Sequence, residues 1–236
     1  TTKELTNELM LKVNLVIVTG SLNNVKQAAQ SGTPAIGVGQ GNVTVIVDET
    51  ADLKDAAKKI KMSKTFDNAT SCSSENSLII IDEIYKETID LLKVEGAILL
   101  NNEKKELLEK TLWVDGKLNR EVIAKPAKFI ADKINLSVDN DIKILMVEEE
   151  GVGSEHLFSG EKLSPVLTLY KAKNFDHAKE IAHKILNYQG IGHSIGIHSK
   201  AQKRVMEIGL ELPVCRVIVN QAHTFATGGS FTNGLP

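Results

Sequence analysis

The segment KTFDNATSCSSENSLIII, residues 64–81, joins a helical pattern to a continuous apolar run. The apolar end of this segment lacks alternating polar residues, a pattern typical of a strand that is buried on both faces. Similar runs recur along the chain, and segments with helical periodicity separate most of them. The other strand-like runs are LVIVTG, the two pieces of PAIGVGQGNVTVIVDE, GAILL, IKILMVE, LSPVLTLY, SIGIHS and CRVIVN.

The alternation of these strands with helices predicts an α/β fold with a largely parallel central sheet that helices cover on both faces. In such sheets, sites are expected beyond the carboxyl ends of strands or in the turns that join strands to helices. Cys72 departs from this rule, because it follows a helical pattern and precedes its strand.

Composition excludes several classes of protein. The chain has 236 residues, a formal net charge of -2 and 4% aromatic residues, so it offers neither a basic stripe nor many stacking platforms for nucleic acid. No stretch approaches ~18 consecutive apolar residues, which argues against a membrane span. Two cysteines do not make a disulfide framework, and the sequence therefore predicts a protein of the reducing cytoplasm.

Cys72 is the leading candidate for chemistry. Its neighbours are small and polar, which leaves room for a substrate and supplies N–H and O–H groups to a thiolate. The alternative is an inert thiol at the surface, and the local sequence alone favours that alternative. Cys215 lies in the apolar segment LPVCRVIV and is expected in the core.

Other motifs carry weaker signals. Gly37, Gly39 and Gly41 have the wrong spacing for a dinucleotide fingerprint, although they allow a ligand or strand to approach the backbone closely. The TGS turn at residues 19–21 could hold a phosphate or be an ordinary capped turn. His193 and His198 lack a third ligand at metal spacing, so no metal site is predicted.

Several of these motifs together resemble one family. VTGS, VKQAAQSGTPAIGVGQGNVTVIVDETADLKDAA, SKTFDNATSCSSENS, GEKLSPVLTLYKAKNFDHA and GIGHSIGIHS are similar, in order and spacing, to the CoA-acylating branch of the aldehyde dehydrogenase superfamily. The tail HTFATGGSFTNGLP resembles the acylating sulfoacetaldehyde dehydrogenases. The resemblance covers nearly the whole chain and implies the catalytic domain of that fold, with three αβα layers around a largely parallel sheet.

The resemblance also implies roles for individual residues. Cys72 matches the catalytic nucleophile, and Glu161 matches the carboxylate that holds the nicotinamide ribose. His193 matches a position close to the cofactor, without an assigned role. The remaining matches lie near the cofactor pyrophosphate (Gly20, Ser21) or beside the nicotinamide (Gly37, Val38, Gly39).

The implied reaction converts an aldehyde, coenzyme A and NAD or NADP to an acyl-CoA through a thioester on Cys72. The aldehyde would be acetaldehyde or a substituted acetaldehyde such as sulfoacetaldehyde. Hydrolytic relatives carry a glutamate base where this chain has Gly37, and no carboxylate replaces it nearby in sequence. Attack of water on the acyl-enzyme should therefore be slow, whereas coenzyme A needs less help because a thiol is already partly ionised.

Family members are about twice as long, so the chain is interpreted as a piece of a longer protein. Residues 1–36 would be the remnant of the Rossmann-like cofactor domain, and residues 37–236 a catalytic domain truncated at its C-terminal end. Alone, this piece is expected to be inactive. The family further implies a homo-oligomer, in some members packaged in a bacterial microcompartment by a terminal peptide that is not visible here. Two alternatives stay open: a phosphate-forming semialdehyde dehydrogenase of the same superfamily, and a non-catalytic scaffold.

Overall fold

The computed structural model describes residues 2–20, 22–38 and 40–229, and the placement of each element follows the apolar pattern of the sequence. Its strands are β1 (Val16–Thr19), β2 (Ala35–Val38), β3 (Val43–Val47), β4 (Glu75–Ile81), β5 (Ala97–Leu99), β6 (Trp113–Val114), β7 (Lys117–Leu118), β8 (Ile144–Glu148), β9 (Val166–Ala172), β10 (Ser194–His198) and β11 (Arg216–Val219). Its α-helices are α1 (Lys3–Lys12), α2 (Leu22–Gln30), α3 (Leu53–Thr65), α4 (Asp82–Val94), α5 (Asn102–Leu112), α6 (Ala127–Lys133), α7 (Phe175–Tyr188), α8 (Gln202–Glu211) and α9 (His223–Gly228). Two short 3-10 helices span Phe66–Ala69 and Leu157–Ser159.

Seven strands form the central sheet in the order β11-β10-β3-β4-β9-β8-β5, and every neighbouring pair is parallel. The prediction of a parallel sheet covered by helices is confirmed. All residues of β3 and β4 are buried, as expected for strands without polar alternation. The core on the two faces is made largely of Ile, Leu, Val and Ala, and the helices α3, α4 and α7 pack against it.

Side-chain caps fix where several helices begin. Asp52 accepts from the backbone N–H of Asp55 at the start of α3, and Asn174 accepts from that of His177 at the start of α7. Asn101 does the same for α5. Each cap satisfies an amide that the helix leaves unpaired, a contribution of about 1 kcal/mol.

The strands β1 and β2 form a separate two-stranded parallel sheet, which α2 covers. In β2, a Cβ added at Gly37 would lie 2.5 Å from Cγ1 of Val25 on α2. A glycine is therefore what allows the helix to approach the strand. The division of the chain into two domains at residue 36 stays a prediction.

Two features differ from what the sequence predicts. Cys215 is exposed, so its assignment to the core was wrong. It precedes β11, the outermost strand of the sheet, where an apolar sequence has a neighbour on one side only. The hairpin of β6 and β7 and the short helix α9 were not predicted, because two-residue strands and a six-residue helix show too few periods to be recognised. Within the described residues, no helix is long and apolar enough to cross a membrane.

The packing of Gly37 against Val25 leads to a stability prediction. We expect Gly37→Ala to lower the free energy of unfolding by about 1–3 kcal/mol, because a branched side chain with restricted rotamers has to move away from the new methyl group. Thermal unfolding of the full-length protein measures the effect. In a Val25→Ala background, Gly37→Ala should lower the free energy of unfolding by less, because the methyl groups of Val25 are no longer there. This smaller loss is the difference between Val25→Ala and the double variant Gly37→Ala/Val25→Ala. Equal losses in both backgrounds would show that this contact does not require the glycine.

Candidate active site

The predicted site residues of the central sheet meet at one edge. Cys72 precedes β4, Glu161 precedes β9 and His193 precedes β10. These strands are parallel and lie in the order β10-β3-β4-β9, so the residues before them share the amino edge of the sheet. The expectation of a site at the carboxyl ends does not hold for them. Like Cys72, Glu161 and His193 therefore lie before their strands and not after them.

Cys72 lies in an exposed turn that is pressed against the segment before β3. A Cβ added at Gly41 would lie 2.6 Å from the carbonyl oxygen of Cys72 and 3.0 Å from its Cβ. Next to this approach Val43 pairs with Glu75, and the pairing of β3 with β4 shifts by one residue between Val43 and Thr44. The sequence predicted that a ligand or strand approaches the glycine-rich segment closely. At Gly41, it is the turn with Cys72 that makes this approach.

The chain reaches Cys72 through a strained turn. Asp67, Asn68 and Ala69 all have left-handed backbone angles, with φ of 47°, 49° and 60°. Two hydrogen bonds hold this conformation: the hydroxyl of Thr70 donates to the backbone carbonyl of Asp67 at 2.5 Å, and Nδ2 of Asn68 donates to the carbonyl of Ala124 at 3.1 Å. A residue other than glycine costs free energy when its backbone adopts left-handed angles, and here three such residues follow one another. Strain of this kind is concentrated at functional sites.

Glu161 is the charged group that acts on the thiol. Burial raises the pKa of Glu161 to about 7, against the opposing effects of a hydrogen bond with Gln40 and the charges of Lys162 and Lys64. The pKa of the Cys72 thiol is also raised, first because the surrounding protein removes water from the sulfur and second because of the charge of Glu161. The carboxylate of Glu161 is thus close enough to raise the pKa of the Cys72 thiol.

Behind this edge lie buried charges that the sequence analysis missed. Lys64, Glu75 and Lys162 are at most 1% exposed. Burial lowers the pKa of both lysines and raises that of Glu75. Nζ of Lys162 donates to the carbonyls of Phe158 and Gly160 at 2.7 and 2.8 Å, whereas Nζ of Lys64 has no hydrogen-bond partner in the described part of the chain. Lys64 follows Ala57 by seven residues and Ile60 by four, so it lies on the apolar face of α3, and this spacing was the signal that could have found it.

Asn42 connects two parts of the edge. Its Nδ2 donates to the carbonyl of Ser159 at 2.8 Å, in the segment that leads to Glu161. The backbone N–H of Glu161 in turn donates to Oε1 of Gln189 at 2.9 Å. These bonds position the loop before β9 relative to the start of β3, and thereby the carboxylate relative to the thiol.

The two candidate histidines of the GIGHSIGIHS segment lie at opposite ends of β10. His193 is half-buried at the amino edge, and its Nδ1 lies 3.1 Å from Oγ of Ser194. Burial and then the nearby charge of Arg216 lower the pKa of His193. His198 is buried at the other end of the strand, where burial lowers its pKa to about 4. The structure therefore separates His198 from the candidate site.

The remaining predicted residues belong to the sheet of β1 and β2. Gly20 follows β1 with a φ of 115°, and no atom lies within 4 Å of the position that a Cβ would take. The backbone there is open to a ligand. Gly37 and Val38 end β2, with Val38 paired to Thr19. Ser21 and Gly39 lie outside the described residues.

Comparison with known proteins agrees with this geometry. No protein-family model matches the chain. It is 50% identical, over 99% of its length and 48% of the relative, to the acylating sulfoacetaldehyde dehydrogenase of Cupriavidus necator. Among solved structures it is similar to an acetylating aldehyde dehydrogenase from Geobacillus thermoglucosidasius, with a TM-score of 0.93, 38% identity, and coverage of 99% of this chain and 52% of the other. A propionaldehyde dehydrogenase from Rhodopseudomonas palustris with bound propionyl-CoA gives a TM-score of 0.89 at 28% identity, with coverage of 97% and 50%.

The fold and these relatives define the class of the protein: it belongs to the aldehyde dehydrogenase superfamily. Within that class, the chain belongs to the CoA-acylating family, whose sulfoacetaldehyde and acetaldehyde dehydrogenases match it over 99% of its length. The chain spans about half the length of the relatives it matches.

The effect of Glu161 on Cys72 can be measured by alkylation. We expect Glu161→Gln to react with iodoacetamide roughly two- to tenfold faster at pH 8, because removal of a negative charge lowers the pKa of the thiol. Below about pH 7 the wild-type carboxyl is protonated, and the two rates should converge. Because Cys215 is exposed as well, all proteins carry Cys215→Ser, and labelling of Cys72 is followed by mass spectrometry.

The control for this prediction is Glu87→Gln, on an exposed part of α4, which should leave the rate unchanged. An equal acceleration in both glutamine variants would mean that net charge, and not the local carboxylate, governs the thiol. No acceleration in Glu161→Gln would place its charge too far away to matter.

Proposed function

We propose that the full-length protein oxidises a small aldehyde with NAD or NADP and transfers the acyl group to coenzyme A. The observation that carries this proposal is an exposed thiol, Cys72, which follows a strained turn and lies near a carboxyl group, Glu161, whose pKa is about 7. Relatives named as acylating dehydrogenases, and a solved structure with bound propionyl-CoA, support the same reaction class.

In the proposed reaction, the Cys72 thiolate adds to the aldehyde carbonyl and forms a thiohemiacetal. The backbone N–H of Cys72 already interacts favourably with its own thiolate, and it is a candidate donor to the resulting oxyanion. The nicotinamide supplies the acceptor for the hydride. Loss of that hydride leaves an acyl thioester on Cys72, and the thiol of coenzyme A then takes the acyl group and frees the cysteine.

The described residues fit one end of a dinucleotide. The backbone at Gly20, between β1 and α2, is the kind of turn at which N–H groups can hold a phosphate, and Glu161 offers a carboxylate to a ribose. We assign Ser21, Gly37, Val38 and Gly39 to the same cofactor. His193 would lie on its other side, at the start of β10.

The identity of the aldehyde depends on cations near Cys72. A sulfonate would need one, and two of the three arginines of the chain, Arg204 and Arg216, lie away from that position. Arg204 pairs with Asp48 and Glu49 beyond the carboxyl end of β3. Arg216 begins β11, three strand spacings or roughly 14 Å from β4. We propose acetaldehyde or a substituted acetaldehyde such as sulfoacetaldehyde, the latter because a relative with 50% identity carries that name; its sulfonate would need a cation other than Arg204 and Arg216.

As the family implies, we further propose a homo-oligomer, with microcompartment packaging as one arrangement. The cytoplasmic location is proposed from cysteine usage alone.

The proposed function predicts a strict requirement for coenzyme A and for Cys72. Reduction of NAD or NADP by the full-length protein is measured with acetaldehyde or sulfoacetaldehyde, with and without coenzyme A. Cys72→Ala should lower turnover by about 10³-fold or more, whereas Cys215→Ala, the matched change at the other exposed thiol, should have little effect.

Other outcomes identify the alternatives. Turnover that needs inorganic phosphate in place of coenzyme A would indicate the phosphate-forming semialdehyde dehydrogenase. Turnover with water alone would show that Gly37 does not prevent hydrolysis. A complete absence of turnover, together with ordinary alkylation kinetics of Cys72, would favour the non-catalytic scaffold.

A further inference from the structure

A row of three hydrogen-bonding side chains runs inward from His193. Oγ of Ser194 lies 3.1 Å from Nδ1 of His193 and 2.8 Å from Nε2 of His223 on α9. Ser194 and His223 are 3% and 1% exposed, so both are shielded from bulk solvent. The other ring nitrogen of His223, Nδ1, has no hydrogen-bond partner within the described residues.

The positions of the protons in this row follow from counting donors. The serine has one O–H, and each neutral imidazole has one N–H. If the serine donated to His223, the proton of that ring would sit on its unpartnered Nδ1, and a buried N–H without an acceptor is costly. If both rings donated to the serine, its hydroxyl proton would have no acceptor. Only one arrangement pairs every proton: His223 donates from Nε2 to Ser194, and Ser194 donates to Nδ1 of His193.

The inner histidine is held firmly in place. Its backbone N–H donates to Oε1 of Glu75 at 3.3 Å. The next residue, Thr224, donates from its backbone N–H to Oγ of Ser63 on α3 at 2.9 Å. A Cβ added at Gly196 would lie 3.0 Å from Nδ1 of His223, so a glycine in β10 makes room for the ring.

Charges from the surrounding elements keep both rings neutral. Burial lowers the pKa of His223 to about 3, and the charge of Arg216 acts in the same direction, as would protonation of His193 or His198. Glu75 on β4 accepts from the backbone N–H of His223, and burial raises the pKa of this carboxyl. A protonated His193 would also deprive Ser194 of its acceptor, so the row itself favours the neutral ring.

We propose that Ser194 and His223 are positioning residues that hold His193 neutral with its proton on Nε2, where the ring donates a hydrogen bond to an oxygen of the cofactor or substrate. This role rests on the proposed function, whereas the tautomer does not. In this arrangement His193 binds and orients an acceptor group. It cannot serve as a base through Nε2 unless every proton in the row shifts.

Nuclear magnetic resonance tests the tautomer without any turnover. In the full-length protein labelled with ¹⁵N-histidine, His193 should show a bare Nδ1 and a protonated Nε2. Ser194→Ala should convert it to a mixture of tautomers with a higher pKa, while the signals of the exposed His183 on α7 stay unchanged. His223→Gln, whose amide supplies an N–H near the position of Nε2, should preserve the wild-type pattern, and His223→Met should lose it. A proton on Nδ1 of His193 in the wild type would overturn the proposal.

Kinetics test the donor role separately. His193→Gln places an amide N–H close to the position of Nε2 and should keep cofactor reduction within about tenfold of wild type, whereas His193→Ala should lose considerably more. Equal losses in both variants, with a wild-type rate that falls as His193 becomes protonated, would identify a base and overturn the donor role. If wild type itself shows no turnover with any acceptor, the proposed function fails, and the tautomer is still decided by resonance.

Discussion

The contact between Gly41 and the backbone of Cys72 sets the geometry of the whole site. There is no space for a side chain between them, since a Cβ would lie 2.6 Å from the carbonyl oxygen. The turn that carries the thiol is therefore seated on the segment before β3, close to the point between Val43 and Thr44 where the pairing of β3 with β4 shifts. The next residue, Asn42, ties the same segment to the loop before β9. Two adjacent residues thus position both the thiol and Glu161.

The same edge carries an unusual amount of buried charge. Moving an unpaired ammonium or carboxylate out of water costs several kcal/mol, so Lys64, Glu75 and Lys162 need compensation. Lys162 finds it in two carbonyls, and Lys64 and Glu75 find part of it in each other. Burial shifts their pKa values toward neutrality, as it does for Glu161. The thiol therefore lies in surroundings whose charge changes near neutral pH, and the rigid sheet limits how far these groups can move in response.

The long apolar strands and periodic helices were predictable because burial on both faces leaves a strong signal in sequence. Every strand-like run became a strand, and the resemblance to acylating dehydrogenases was confirmed. The features that the sequence analysis mispredicted or missed depend on contacts between residues that are distant in sequence. Cys215 is exposed because β11 is an edge strand, and the local sequence does not predict the order of strands in a sheet. Lys64 and His223 are buried because α3 and α9 pack together over β4 and β10, a contact between residues about 160 positions apart. The roles of the cofactor-binding residues remain predictions.

The packing at Gly37 bears on how the proposed acyl-enzyme would choose between water and a thiol. A larger residue there would meet Val25, so helix α2 disfavours a glutamate at that position. The carboxylate that the fold does bring near Cys72 is Glu161, which sequence proximity to Gly37 could not reveal. Its presence need not favour hydrolysis, because the two nucleophiles differ in how much they depend on a base. A thiol is a few per cent ionised at pH 7, whereas water is a far weaker acid and has almost no ionised form to offer. If Glu161 holds the ribose of a bound cofactor, it is engaged during hydride transfer, and coenzyme A can still react without it.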